Sequence, residues 1–204
     1  MTTITIVHKE NQIAIAADTQ TTFGDDQRLS HRYDHYCSKI MKHKGSYIAI
    51  AGSAAHDLVL RAALKSVKKA DLMGRENIFN TFCKLHPKLK QHFFLRPEEE
   101  EDDPYESSQM MLLIANESGI YGVYPMREVY QFKRFWSIGS GRKFAMGAMY
   151  AAYEQDGMNA KALAELGVHA GAEFDVSTSL PLESFVLKAL DEEGLATQAL
   201  KNKV

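Results

Sequence analysis

The hydrophobic period of this chain changes in blocks, and the order of those blocks constrains its fold more than any single residue does. Thr3 to Val7 and Gln12 to Ala17 alternate at period 2 with β-branched side chains, and Lys9-Glu10-Asn11 turns between them. Asp18 to Cys37 is polar and irregular, with Gly24-Asp25-Asp26 as a turn cluster. Strand patterning returns at Lys39-Ile40-Met41 and Tyr47 to Ala51, joined through Lys44-Gly45-Ser46. The period then lengthens. Leu58, Leu60, Ala62, Ala63, Leu64 and Val67 predict a helix that ends near Gly74, and a second runs from about Glu76 to Leu85, where Pro87 stops it. Met110 to Ala115 and Gly119 to Tyr124 pair as a hairpin. Phe135 to Gly141 ends a strand and launches a helix from Lys143 to Glu154, and Asn159 caps another through about Ala172. Ser184 to Leu190 and Leu195 to Leu200 read as a closing hairpin. Strands, two helices, strands, two helices, strands: segregated blocks of this kind predict an α+β protein with antiparallel sheets and helices outside them. No repeat or linker divides the chain, so residues 1–204 are expected to form a single domain.

Composition narrows the function classes. With a net charge of −2, no bulk field draws the chain to nucleic acid or to an anionic membrane, so neither is expected as a partner. No apolar run approaches the roughly 20 residues of a membrane helix. The start, Met-Thr-Thr-Ile-Thr-Ile-Val-His, has no basic n-region or long apolar core, and Cys37 and Cys83 are read as reduced thiols of a cytoplasmic protein.

Thr2 says little alone, because Met-Thr is a common start and Met is generally removed before so small a residue. A threonine hydroxyl is a poor nucleophile until a base takes its proton, and a chain-terminal α-amine can be that base. Such an amine titrates near ~7.7–8.0, close to working pH. A nearby ammonium lowers that value and favours the neutral amine, and the ammonium itself needs a carboxylate to hold it. Asp18, ending the second strand, and Lys39, starting the third, stand where such a pair is required.

Thr2-Thr3-Ile4 at the start, Ala-Ala-Asp18-Thr-Gln-Thr-Thr22-Phe-Gly24, Ser-Lys39-Ile40, Ile-Ala-Gly52-Ser and Ile-Gly-Ser140-Gly141 resemble, in this order, the proteasome β-subunits. The pattern is most similar to the bacterial proteasome-related peptidase HslV, with the betaproteobacterial proteasome homologue as a second group. The likeness runs from Thr2 to roughly Ser179. It implies a four-layer αββα sandwich, two antiparallel sheets flanked by helices, as in N-terminal-nucleophile hydrolases. Thr2 resembles the nucleophile, with its own amine as base once Met1 is gone, and Asp18 and Lys39 the pair that tunes it. Ser140, with Asp175 and Thr178, resembles the network that organises the nucleophile's protons. Thr22 and Gly141 resemble substrate-binding positions, Thr22 as part of an edge that takes the substrate as an added strand. Counting back from Gly52, the oxyanion amide falls at Ala49, where proteasomes carry glycine. Met41 and Ala51 fall near the primary specificity pocket. The Asp18 to Lys39 segment is longer than in HslV, with Leu29 to Cys37 as the insertion.

The resemblance thus implies a threonine endopeptidase without metal or cofactor, acting on unfolded proteins inside stacked homo-oligomeric rings, with a ring-shaped ATPase unfoldase as a partner. Two alternatives stand beside it: a catalytically silent ring subunit with a scaffold or regulatory role, and an amidohydrolase of the same chemistry acting on a small amide. His31 and His35, four apart with Asp34 and Cys37 nearby, have a spacing compatible with metal ligands, but a polar loop at the edge of the substrate chamber is the preferred reading. Glu98 to Asp103 is read as a solvated acidic loop. Gly139 and Gly141 lack the spacing of a phosphate loop.

Overall fold

Alternation along the first strand already divides the molecule into layers. In the computed structural model, which describes residues 2–24, 27–98, 103–191 and 194, β1 (Thr3–Lys9) pairs antiparallel with β2 (Gln12–Asp18) through a turn at Glu10 and Asn11. Ile4 and Ile6 project to one side and Thr3, Thr5 and Val7 to the other, yet all five are buried. A strand covered on both faces must lie between two other layers.

Two short strands, β3 (Thr21–Phe23) and β4 (Gln27–Leu29), form a ribbon of their own. They lie inside the stretch read from the sequence as irregular, and three residues are too few to carry a period. β5 (Ile40–His43) and β6 (Ser46–Ala51) follow, then α1 (Ala55–Ser66) and α2 (Arg75–Phe93). Next come β7 (Met111–Asn116), β8 (Gly119–Val123), β9 (Val129–Phe132) and β10 (Phe135–Gly139). The described elements close with α3 (Arg142–Ala152), α4 (Ala160–Phe174) and β11 (Leu182–Lys188).

One antiparallel sheet has the order β10-β1-β2-β11 and a second the order β5-β6-β7-β8-β9. Three apolar clusters lie between the layers. Ile4, Ile6, Ile13 and Ile15 meet Ala49, Leu113 and Ile120 between the sheets. Leu60, Leu64, Ile78, Phe82, Leu85 and Leu89 cover the outer face of the second sheet. Ala145, Met149, Ala160, Leu163 and Val168 cover the outer face of the first. The order is helices, sheet, sheet, helices: an α+β, four-layer αββα sandwich. No helix among the described residues is long and apolar enough to cross a membrane.

Four differences from the sequence reading have physical causes. α1 ends at Ser66 rather than near Gly74, since Val67 is already extended. α2 does not stop before Pro87 but runs through it to Phe93. A mid-helix proline costs about 3 kcal/mol. Burial of Leu85 and Leu89 on either side of it returns roughly 1.5–3 kcal/mol each, so the helix continues. β9 was not expected, because its two central residues, Tyr130 and Gln131, are exposed and leave little apolar alternation to read. β11 pairs with β2 rather than opening a described hairpin; Leu195 to Leu200 lies outside the described residues, as do residues 99–102 of the acidic segment.

Candidate active site

Thr2 immediately precedes β1 and shares the parity of Ile4 and Ile6, so its side chain opens between the two sheets at the end of the sandwich. Asp18 is the last residue of β2, beside it in the first sheet. Lys39 precedes β5 and reaches across from the second sheet. Its Nζ lies 3.0 Å from Thr2 Oγ1 and 2.9 Å from Asp18 Oδ1. The Thr2 hydroxyl donates to the same Asp18 oxygen.

The Asp18 carboxylate is completely buried, a state that is expensive unless every lone pair finds a donor. It accepts from the Thr3 amide at 3.0 Å, the Gln20 amide at 3.1 Å and the Ser179 amide at 3.4 Å, besides Lys39 and Thr2. Burial holds the Lys39 ammonium below its ordinary pKa, and the Asp18 charge and hydrogen bond oppose that shift.

A second network lies behind Thr2. Ser140 Oγ donates to Asp175 Oδ2 at 2.6 Å and lies 3.3 Å from the Thr2 carbonyl oxygen, which the Gly141 amide also approaches at 3.4 Å. Thr178 Oγ1 donates to the same Asp175 oxygen at 2.6 Å. A hydroxyl has one proton, so Thr178 must accept in its 2.8 Å contact with Thr3 Oγ1, and Thr3 is the donor. The structure therefore brings Thr2, Asp18, Lys39, Ser140, Gly141, Asp175 and Thr178 together at one end of the first sheet.

Sequence reasoning missed the glycines that allow this closeness. Gly139 has φ +94°, and a Cβ there would overlap the Thr2 backbone. Gly167 and Gly171 stand four apart on α4, one turn of a helix face. A Cβ on Gly167 would meet Thr5 Cγ2 at 2.8 Å, and one on Gly171 would meet Thr3 Cβ at 2.8 Å. Their spacing was a legible sign of a helix lying close against a strand.

Thr2 and Lys39 open into a cleft of about 500 Å³. Thr22, on β3 opposite Arg28, lines it, as do Leu29, Asp34, Tyr36 and Cys37 of the longer segment. Here the structure corrects two expectations. Ala49 lies inside the second sheet, paired with Ile40 on one side and Leu113 on the other and fully buried, so its backbone does not face the cleft. Gly52, just beyond the last ladder pair, does. A Cβ on Gly52 would meet nothing within 4 Å, so its φ of +125° and not crowding is the reason for glycine. Met41 and Ala51 are likewise core residues, Met41 under α1 and α2 and Ala51 between the sheets, while Ile50 and Leu58 line the cleft.

Size alone would have chosen another hollow. One of about 760 Å³ beside the start of α2, lined by Arg75, Phe79, Arg127 and Tyr130 among others, has no threonine, serine or cysteine on its wall. His31 and His35 are exposed, and no group of three or more His, Cys, Asp or Glu among the described residues could hold a metal ion.

The comparisons agree with this architecture. The family model described as Proteasome subunit matches residues 1–174. BPH of Thiobacillus denitrificans, solved alone and in complex with epoxomicin, is 42% identical; the match covers 93% of this chain and 100% of that one, with TM-scores of 0.87 and 0.86 respectively. HslV of Trypanosoma brucei is 21% identical over 91% of this chain and 99% of its own, with a TM-score of 0.65, which bears on the fold alone. A search of the curated proteins gives no match.

Proposed function

The chain belongs to the proteasome subunit family, and from that premise we propose that it is a threonine peptidase with Thr2 as its nucleophile once Met1 has left. The observation that carries the reading is the reach of one buried lysine, Lys39, to both the Thr2 hydroxyl and the Asp18 carboxylate. Removal of Met1 turns the Thr2 amide nitrogen into an amine beside this ammonium. The ammonium disfavours a second positive charge and keeps the amine neutral near pH 7.

Thr2 Oγ1 then attacks the peptide carbonyl carbon while the amine, through water, takes the hydroxyl proton. The new C–O bond makes a tetrahedral oxyanion, to which the Gly52 amide, in place of Ala49, is the proposed donor. As the C–N bond breaks, the proton passes to the leaving amine and an ester remains on Thr2. Water, deprotonated by the same amine, hydrolyses the ester and restores the hydroxyl. Ser140, Asp175 and Thr178 hold the Thr2 carbonyl and the start of β1 during this cycle. Thr22 binds the substrate backbone as an added strand, while Gly141, whose amide faces the Thr2 carbonyl, serves the network behind the nucleophile instead.

In the same reading, subunits assemble as stacked rings whose chamber admits only unfolded chains, with a ring-shaped ATPase as the unfolding partner. A peptide reporter tests the chemistry, with epoxomicin as a first active-site probe because the Thiobacillus denitrificans protein was solved in complex with it. Intact mass should report loss of Met1. Thr2→Ala should lower turnover by at least ~10³-fold and Lys39→Ala by ~10²–10³-fold. Quantitative retention of Met1, or full activity in both variants, overturns the reading; the first outcome leaves a silent ring subunit, and turnover of small amides but not peptides leaves an amidohydrolase.

A further inference from the structure

We propose that Glu183 is a positioning residue that sets Lys39 through Ser38, an inference that rests on the reading of Thr2 as the nucleophile. Lys39 needs such a device. It lies one residue outside the second sheet's ladder, whose first pair on β5 is Ile40 with Ala49. Its ammonium must nevertheless hold a place against two groups of the first sheet. β5 is also an edge strand with β6 as its one neighbour in the sheet.

Ser38 Oγ donates to Glu183 Oε2 and accepts from the Ile40 amide at 3.4 Å. It lies 3.0 Å from the Ile40 carbonyl as well, but its single proton goes to the carboxylate. One hydroxyl thus grips both sides of Lys39. Glu183 stands on β11 opposite Ala17, and Leu182 beside it stands opposite Asp18. Two ties therefore cross between the sheets in parallel, Asp18 to Lys39 and Glu183 to Ser38, from neighbouring residues at each end. A slide of one sheet against the other must break both.

The action is mechanical. Glu183 joins the Lys39 segment through the Ser38 hydroxyl, which also accepts from the Ile40 amide. An uncharged acceptor of the same shape should therefore serve as well as the carboxylate. Partners one shell behind a reacting group are commonly worth 10–100-fold in activity at metal sites, and a misplacement of about 1 Å costs ~10²-fold.

The test uses Glu183→Ala, Glu183→Gln, Ser38→Ala and the Glu183→Ala/Ser38→Ala double variant of the full chain. Glu183→Ala and Ser38→Ala should each lose about 10–100-fold in kcat with KM nearly unchanged. The double variant should lose no more than either, because the two residues act as one unit. Glu183→Gln should keep activity within about threefold, since its amide oxygen still accepts the Ser38 proton. The second readout needs no turnover: NMR titration of the Lys39 ε-carbon. Its midpoint should rise toward that of an exposed lysine in Glu183→Ala and stay at the wild-type position in Glu183→Gln. A wild-type midpoint in Glu183→Ala overturns the inference, and so does a glutamine variant as impaired as the alanine one. A wild type inert toward every peptide ends the reading of Thr2, while the NMR comparison still decides whether Glu183 holds Lys39.

Discussion

The two helix-on-sheet faces of the sandwich are built from different residues. Over the second sheet, α1 and α2 lay down large side chains, Leu60, Leu64, Ile78, Phe82, Leu85 and Leu89. Over the first sheet, α3 and α4 use mainly alanine and glycine, Ala145, Ala152, Ala160, Ala164, Gly167 and Gly171. Large residues contribute more buried area and hence more stability. Small ones let backbones approach, and α4 comes near enough for the Ala164 carbonyl to accept from Thr5 Oγ1 at 2.8 Å. The network behind Thr2, through Thr3, Thr178 and Asp175, lies on the small-residue side. One face stabilises, and the other sets positions.

The sharpest way to break this contrast is a methyl group on each side. Gly171→Ala drives a Cβ into Thr3 and should disturb the Thr3–Thr178–Asp175 chain, with a loss of ~3 kcal/mol or more in thermal unfolding and near-complete loss of Thr2 reactivity. Leu64→Ala removes bulk from the opposite face and should cost about 2–5 kcal/mol. Its folded fraction should still turn over the peptide reporter at the wild-type rate. Equal reactivity per folded molecule in the two variants would erase the distinction.

Thr178→Val keeps shape but strips a hydroxyl from two partners. We expect a loss of about 1–3 kcal/mol by denaturant titration, with slower labelling of Thr2. A change in stability without a change in labelling would reduce the network to scaffolding.

The pH dependence separates the two roles in one residue. Lys39 titrates below the 10.5 of a free lysine because it is buried. Between its folded pKa and that value the unfolded chain binds more protons than the native one, so this residue's contribution to stability rises with pH. Activity must move the other way, since the neutral lysine loses its ion pair with Asp18 and its field on the amine. An alkaline limb of kcat starting below 10.5, absent from the melting temperature, is the expected result. A limb that tracks unfolding would be evidence against it.

The smallest expected effect is a control. Gly147 lies within α3, and an added Cβ there meets nothing within 4 Å. Gly147→Ala should raise stability by ~0.4–1 kcal/mol without altering Thr2 reactivity, because it relieves helix-interior glycine without touching the sheet.

Much of this was legible in the linear chain. β-branched alternation marked β1 and β2, and short apolar runs marked β6, β7 and β8, because these strands are covered by layers on both faces. Asn159 announced α4 through its capping side chain, which accepts from the Ala162 amide at 2.9 Å. Thr2, Asp18 and Lys39 could be named because an activated threonine calls for an ammonium and a carboxylate beside it, and Ser140 only through the resemblance to the proteasome β-subunits. Pro87 misled, since burial outweighed a local penalty that sequence rules treat as decisive. Ala49 misled because counting along a strand does not say where the ladder ends.

The amino-acid order by itself determined the alternation of blocks, and with it the layered α+β class and the residue types able to form a site. Local periodicity and chemistry are properties of neighbours along the chain, so they can be read there. Only the tertiary structure decided which of those residues meet. Lys39 leads into one sheet and Asp18 ends a strand of the other, and their 2.9 Å contact depends on how two sheets stack. The same stacking chose Gly52 over Ala49 for the cleft and brought Glu183, 145 positions away, against Ser38. Such meetings follow from long-range packing between elements, which no local pattern encodes.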